Sequence, residues 1–213
     1  MSLIGHSTFP EKSGLRKARS NILLFDIFLI PLSSDMINIR CTQKLLKRMK
    51  GPDSLSDSEN EPTSDGRLGE WYANVKSLPY RGKSVVIFFN VNTYITIFVP
   101  GNGTRKMLPE FVERTGRLLQ RLDVPQHLID REMDAMQEIR LLKTDSRSIL
   151  GSMNDIGHHL DAYIYYDRIA SADEIDWDRQ ELILTEHIYG AINKRMSEGV
   201  TYPRDLVKRL FEG

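Results

Sequence analysis

The 213-residue chain has one cysteine, Cys41, so it can form no internal disulfide and no multi-cysteine zinc cage. That scarcity fits a reducing compartment, and the cytoplasm is the expected location. It also lacks a charge bias: 29 basic residues face 29 acidic ones, so global charge favours neither a nucleic acid nor an acidic membrane as partner. No long apolar run is present. The longest, "ILLFDIFLIPL" at 22–32, is broken by Asp26 and Pro31 and has about half the length a bilayer requires. Basic residues before it draw the outline of a signal peptide, but no small-residue cleavage pattern follows. Internal repeats, a nucleophile elbow, a zinc-protease helix and a dinucleotide fingerprint are all missing.

What is present is ordinary globular material, 40% hydrophobic and 27% charged, enough for one compact domain plus an appendage. Well-patterned sequence begins at Met36, so 1–35 is expected to be an N-terminal extension, poorly ordered or the product of a misassigned start, and 36–213 a single domain. "INIR" alternates like a short half-buried strand, and "TQKLLKRMK" turns helical behind Thr42 as N-cap. The stretch 51–66, rich in Ser, Asp, Glu, Pro and Gly, reads as a flexible acidic loop. "LGEWYANVKSL" has Leu68, Trp71, Tyr72 and Val75 at helical spacing, which predicts a short amphipathic helix with Trp71 and Tyr72 in the core.

The strongest local signal is a hairpin. The runs 84–89 and 94–99 are β-branched and aromatic and are separated by "NVNT"; the first is apolar throughout, as if covered on both faces, and the second alternates as if covered on one. Helical periodicity follows at 107–122 and again from "QHLIDREMDAMQEI", "IRLLKT" suits a further strand, and helices are expected at 153–168, 176–196 and 203–211. Without a βαβ alternation, these elements predict an α+β fold: a small mixed or antiparallel sheet with a central hairpin, covered by several helices.

Four stretches, "MINIRCTQKLLKRM" at 36–49, "LGEWYANV" at 68–75, "KTDSRSILGSMND" at 143–155 and "YPRDLVKRLF" at 202–211, resemble a family of small bacterial proteins of unknown function, domain-of-unknown-function family 6933. The resemblance spans about 36–211 and implies Met36 as the start of the domain. It implies no activity, cofactor or catalytic residue. The family's stretch reads closer to K-T-N-N-R-S where this chain carries Asp145 and Ser146.

Candidate sites gather in 143–160. Ser152 and Asp155 have capping-box spacing ahead of a helical run, with Gly151 easing the entry. On such a helix Asp155 is a neighbour of both His158 and His159, so Asp155 with His159 is the catalytic candidate, a carboxylate orienting a general base. No metal or cofactor is implied, because nothing in their spacing brings His127 or His187 nearby. Lys143, Arg147, Ser148, Ser152 and Asn154 are the anion-binding candidates, two cations with hydroxyl and amide groups at a helix start. Lys44, Lys47, Arg48 and Lys50 form a basic helix face that would suit a nucleic-acid backbone, without interleaved aromatics for stacking. Cys41, next to Arg40, reads as a buried core residue.

The leading expectation is an intracellular binding or accessory module without its own catalysis, its partner a protein or an anionic small molecule. The alternatives are a hydrolase or transferase acting on an anionic substrate through 143–159, and a nucleic-acid-binding protein using the basic helix 42–50.

Overall fold

The computed structural model describes residues 36–50, 66–189 and 201–212. The chain divides into two units, Met1–Ser33 and Ser34–Gly213, and the sheet and helices belong to the second. The expectations for the extension and for most of the acidic loop lie outside the described residues.

β1 (Met36–Cys41) opens a five-stranded sheet, and its alternation sends Ile37, Ile39 and Cys41 to one face. α1 (Gln43–Arg48) folds back over that face, burying Leu45 and Met49 while Lys44, Lys47, Arg48 and Lys50 stay exposed. Thr42 occupies the position before α1 but does not cap it with its side chain. Its hydroxyl donates instead to Asn74 Oδ1 at 3.0 Å, tying the start of α1 to the neighbouring strand.

That neighbouring strand corrects the sequence reading. Residues 71–77 form β2 (Trp71–Ser77), not a helix. Trp, Tyr and Val suit a pleated surface better than a helix, and β2 is hydrogen-bonded on both sides, to β1 in parallel and to β3 in antiparallel. Its alternation still buries Trp71 on one face and Tyr72 on the other, so both are core residues as expected.

β3 (Ser84–Asn90) and β4 (Thr96–Pro100) make the expected antiparallel hairpin. Its turn is held by Asn90, whose Oδ1 accepts from the backbone of Asn92 and Thr93 while its Nδ2 donates to Leu68 O at 2.8 Å. β3 is covered on both faces. β4 is too, contrary to the one-sided reading: Ile97 and Val99 face one cluster and Phe98 the other, where the Trp177 ring lies 5.7 Å away.

α2 (Leu108–Arg121) and α3 (Gln126–Ala135) then lead to β5 (Glu138–Lys143), which pairs in parallel with the whole length of β1. The strand order is β4-β3-β2-β1-β5, a mixed sheet in which the hairpin forms one side and β1 runs parallel to both its neighbours. The absence of any βαβ alternation therefore does not hold at β1, whose parallel partners lie far away along the chain. The fold is α+β.

α4 (Arg147–Tyr166) begins six residues earlier than its periodicity suggested. Ser146 is its cap, accepting from Ile149 N, so Ser152 and Asp155 lie inside the helix and the capping box is not formed. α5 (Trp177–Leu184) and α6 (Pro203–Glu212) complete the described helices; the helix expected over 176–196 ends at Leu184, with 185–189 non-helical, and its remainder lies outside the described residues. One face of the sheet packs against α1, α2, α3 and α6, with Trp71, Phe88 and Phe111 at its centre. The other packs against α4 and residues of α5.

Candidate ligand-binding end of the sheet

β1 and β5 are adjacent parallel strands whose chains leave the sheet on opposite faces. After β1 the chain enters α1, with Leu45 in the cluster of Ile37 and Trp71; after β5 it enters α4, with Met153 and Ile156 in the cluster of Tyr72 and Phe89. Such a divergence at the carboxyl ends of the strands is the place where α/β sheets commonly bind ligands.

At this end of the sheet Arg40 organises the polar groups. Its Nε donates to Glu70 Oε1 at 2.6 Å, and its Nη1 lies 3.2 Å from Asp145 Oδ2 and 3.4 Å from Lys143 O. The Tyr72 hydroxyl donates to Asp145 Oδ1. Burial first, and then Asp145, hold that hydroxyl above the usual tyrosine range. Asp145 and Ser146 thus have structural work: one anchors Arg40 and Tyr72, the other caps α4.

Lys143, Arg147 and Ser148 are exposed around the first turn of α4, and among the described residues neither cation has an ion-pair partner. Ser152 and Asn154 belong further along the helix, about 7 and 10 Å beyond Arg147 by the helical rise. Lys143, Arg147 and Ser148 are together at the helix start, and the other two anion candidates are set back from them.

The catalytic candidates lie elsewhere. Asp155, His158, His159, Ala162 and His187 line an open hollow of about 420 Å³. Both Asp155 and His159 are exposed there, and His159 follows Arg147 by about 18 Å along the axis of α4. Arg147 and His159 do not converge. The structure does bring in His187, whose ring meets that of His159 edge to face at 4.1 Å. Sequence reasoning missed it because the two are far apart in the chain and joined only by the packing of α4 against the segment after α5. Burial, and then the neighbouring His159, push His187 below the usual histidine range, with Asp155 opposing. Among the described residues, no group of three His, Cys, Asp or Glu side chains is placed to hold a metal ion. His127 is exposed on α3.

Cys41 is fully buried, and burial pushes its thiol up to about 12, which outweighs the proximity of Arg40 in sequence. Of the basic helix face, Arg48 donates to Asn102 O at 3.3 Å, and Lys44, Lys47 and Lys50 are exposed. Among the described residues no helix is long and apolar enough to cross a membrane.

No curated protein and no solved structure matches the chain. The profile of a family described as Domain of unknown function (DUF6933) matches residues 38–206, from the second residue after Met36 to the fourth residue of α6, and the chain belongs to that family.

Proposed function

We propose that this protein works by binding, as an interaction or accessory module without chemistry of its own, and that it takes an anionic ligand at the carboxyl ends of β1 and β5. One observation carries the reading: Lys143 and Arg147 stand exposed, without ion-pair partners among the described residues, at the point where the chain leaves β5 and α4 begins. The first-turn amides of α4 add donors and partial positive charge to those two cations. Asp145, the acid between them, is already occupied by Arg40 and Tyr72.

The test is a titration with inorganic phosphate and with citrate, followed by amide chemical shifts. Shifts centred on 144–149, weakened at least tenfold in a Lys143→Ala/Arg147→Ala variant, are expected. Absence of shifts there would end the proposal. Turnover of phosphatase, nuclease or esterase substrates that disappears in Asp155→Ala or His159→Ala would replace it with the second reading, a hydrolase or transferase. That reading is favoured by the contact of His187 with His159 beside Asp155. The nucleic-acid reading for Lys44, Lys47, Arg48 and Lys50 predicts binding that weakens steeply with salt, and unchanged mobility of DNA and RNA probes at low salt would remove it.

A further inference from the structure

At the same end of the sheet, on the hairpin side, a second hollow of about 460 Å³ lies where β2 ends, β3 begins and α1 comes to a close. It takes residues from four separate segments. Arg48 reaches in from the end of α1, Ser77 from the last position of β2, Lys83 from the β2–β3 turn, and Thr104 from the turn after β4. Two glycines allow that convergence. Gly82 has φ +72°, which lets the turn close with Lys83 N donating to Tyr80 O. Gly103 has the same φ of +72° and sits so close to α1 that a Cβ there would fall 2.6 Å from Leu45 Cδ1.

The chemistry of the walls is one-sided. Of the described residues that line the hollow, two are cations and none carries a carboxylate. Among the described residues, Arg48 is bonded only to a backbone carbonyl, that of Asn102. Among the described residues Lys83 has one acidic partner, Asp173, at 3.7 Å with both side chains mostly in solvent, a pairing of little strength. The hydroxyls of Ser77 and Thr104 have no hydrogen-bond partner among the described residues. A planar guanidinium, an ammonium and two free hydroxyls around one space make a donor set suited to a phosphate group. The volume is in the range of small-molecule sites and exceeds what a bare phosphate fills.

We propose that this hollow binds a phosphate group carried on a polar small molecule of the sugar-phosphate class. The site shares no residue with the one formed by Lys143 and Arg147, so it stands whether or not that reading does. Arg48 grips the phosphate through its paired N–H groups, Lys83 supplies the second positive charge, and Ser77 and Thr104 donate to the remaining oxygens.

Isothermal titration of the full chain with ribose 5-phosphate, inorganic phosphate, ribose and an eight-residue oligothymidylate separates the sources of the phosphate. Ribose 5-phosphate is expected to bind at least tenfold more tightly than inorganic phosphate, and ribose not at all. An Arg48→Ala/Lys83→Ala variant should lose at least tenfold in affinity, and Ser77→Asp, which puts a carboxylate at the exposed end of β2, should lose as much. In the Lys143→Ala/Arg147→Ala background, where the other site is removed, ribose 5-phosphate should still bind, and adding Arg48→Ala/Lys83→Ala to that background should abolish the remaining binding. The proposal fails if both Arg48→Ala/Lys83→Ala and Ser77→Asp bind normally, if inorganic phosphate matches the sugar phosphate, or if the oligonucleotide binds more tightly than either. Loss of binding only in the Lys143 and Arg147 variant would move the ligand to the other site and overturn this one.

Discussion

Arg114 on α2 and Glu181 on α5 meet in a 2.9 Å ion pair with only 7% and 4% of their side chains exposed. Arg114 also holds Asp178 at 2.8 Å, and the second acceptor role of Glu181 is to take the backbone N–H of Phe98 on β4. Three elements are joined through one buried charge network. Replacing Arg114 by Met leaves Glu181 buried without its cation, which should cost about 3–5 kcal/mol. An Arg114→Met/Glu181→Leu double variant should recover part of that loss, because a buried pair is more costly to halve than to replace. Urea midpoints of the two variants check it.

Burial pushes Glu181 up to about 7 although Arg114 pulls the other way. With the folded value above the unfolded one, the folded state holds a proton that the unfolded state has released. The contribution of Glu181 is therefore fully present below the ordinary glutamate range and is lost as pH rises through about 7. Thermal midpoints between pH 5 and 8 should fall less steeply with rising pH in Glu181→Gln than in the unaltered chain. Equal slopes would show that Glu181 is ionised throughout.

For His187 the sign is reversed. Its folded value lies below the ordinary histidine range, so the stability linked to it is present above that range and is lost as pH falls. In an NMR titration its ring proton should show a depressed midpoint. His159→Asn should raise that midpoint by removing a neighbour that disfavours the charged form of His187, and Asp155→Asn should lower it further, since Asp155 favours the charged form. No change in either variant would mean that burial alone sets the value.

Glu132 of α3 is 3% exposed and accepts from the backbone N–H groups of Arg67 at 2.8 Å and Leu68 at 3.0 Å, where the chain approaches β2. Glu132→Ala removes the acceptor for both donors and should cost about 3 kcal/mol, read as a lowered urea midpoint. Amides 67 and 68 should also lose protection in hydrogen exchange.

Gly103→Ala combines a left-handed backbone with a Cβ 2.6 Å from Leu45 Cδ1. A loss of about 1–3 kcal/mol is expected, seen as a fall in melting temperature of several degrees. Gly151→Ala, on the exposed side of α4 with nothing within 4 Å of the added carbon, should instead be neutral or slightly stabilising.

Local pattern was a sound guide wherever an element's own side chains choose its period. The hairpin at 84–100, the helix at 108–121 with Phe111 and Leu118 inward, and the strand at 138–143 are all read from neighbours in the chain, because alternation and 3.6-residue spacing are properties of a single segment. Lys143 and Arg147 were read as cations on a loop ahead of a helix, whereas Arg147 is the first residue of α4.

Tertiary structure decided what depends on partners distant in sequence. Trp71 to Val75 fits a helical face as well as a strand, and pairing with β1 and β3 on both sides makes it β2. Ser146 rather than Ser152 caps α4, because Asp145 is held back by Arg40 and Tyr72 and the helix starts directly behind it. His187 reaches His159, and Lys83 faces Arg48 across a hollow, only after α5 and the β2–β3 turn have packed in place. Sequence by itself determined the α+β class, most of the elements and the charged residues available for binding. Which of those residues share a site was left to long-range strand pairing, since side chains far apart in the chain have no common period through which a sequence could show that they meet.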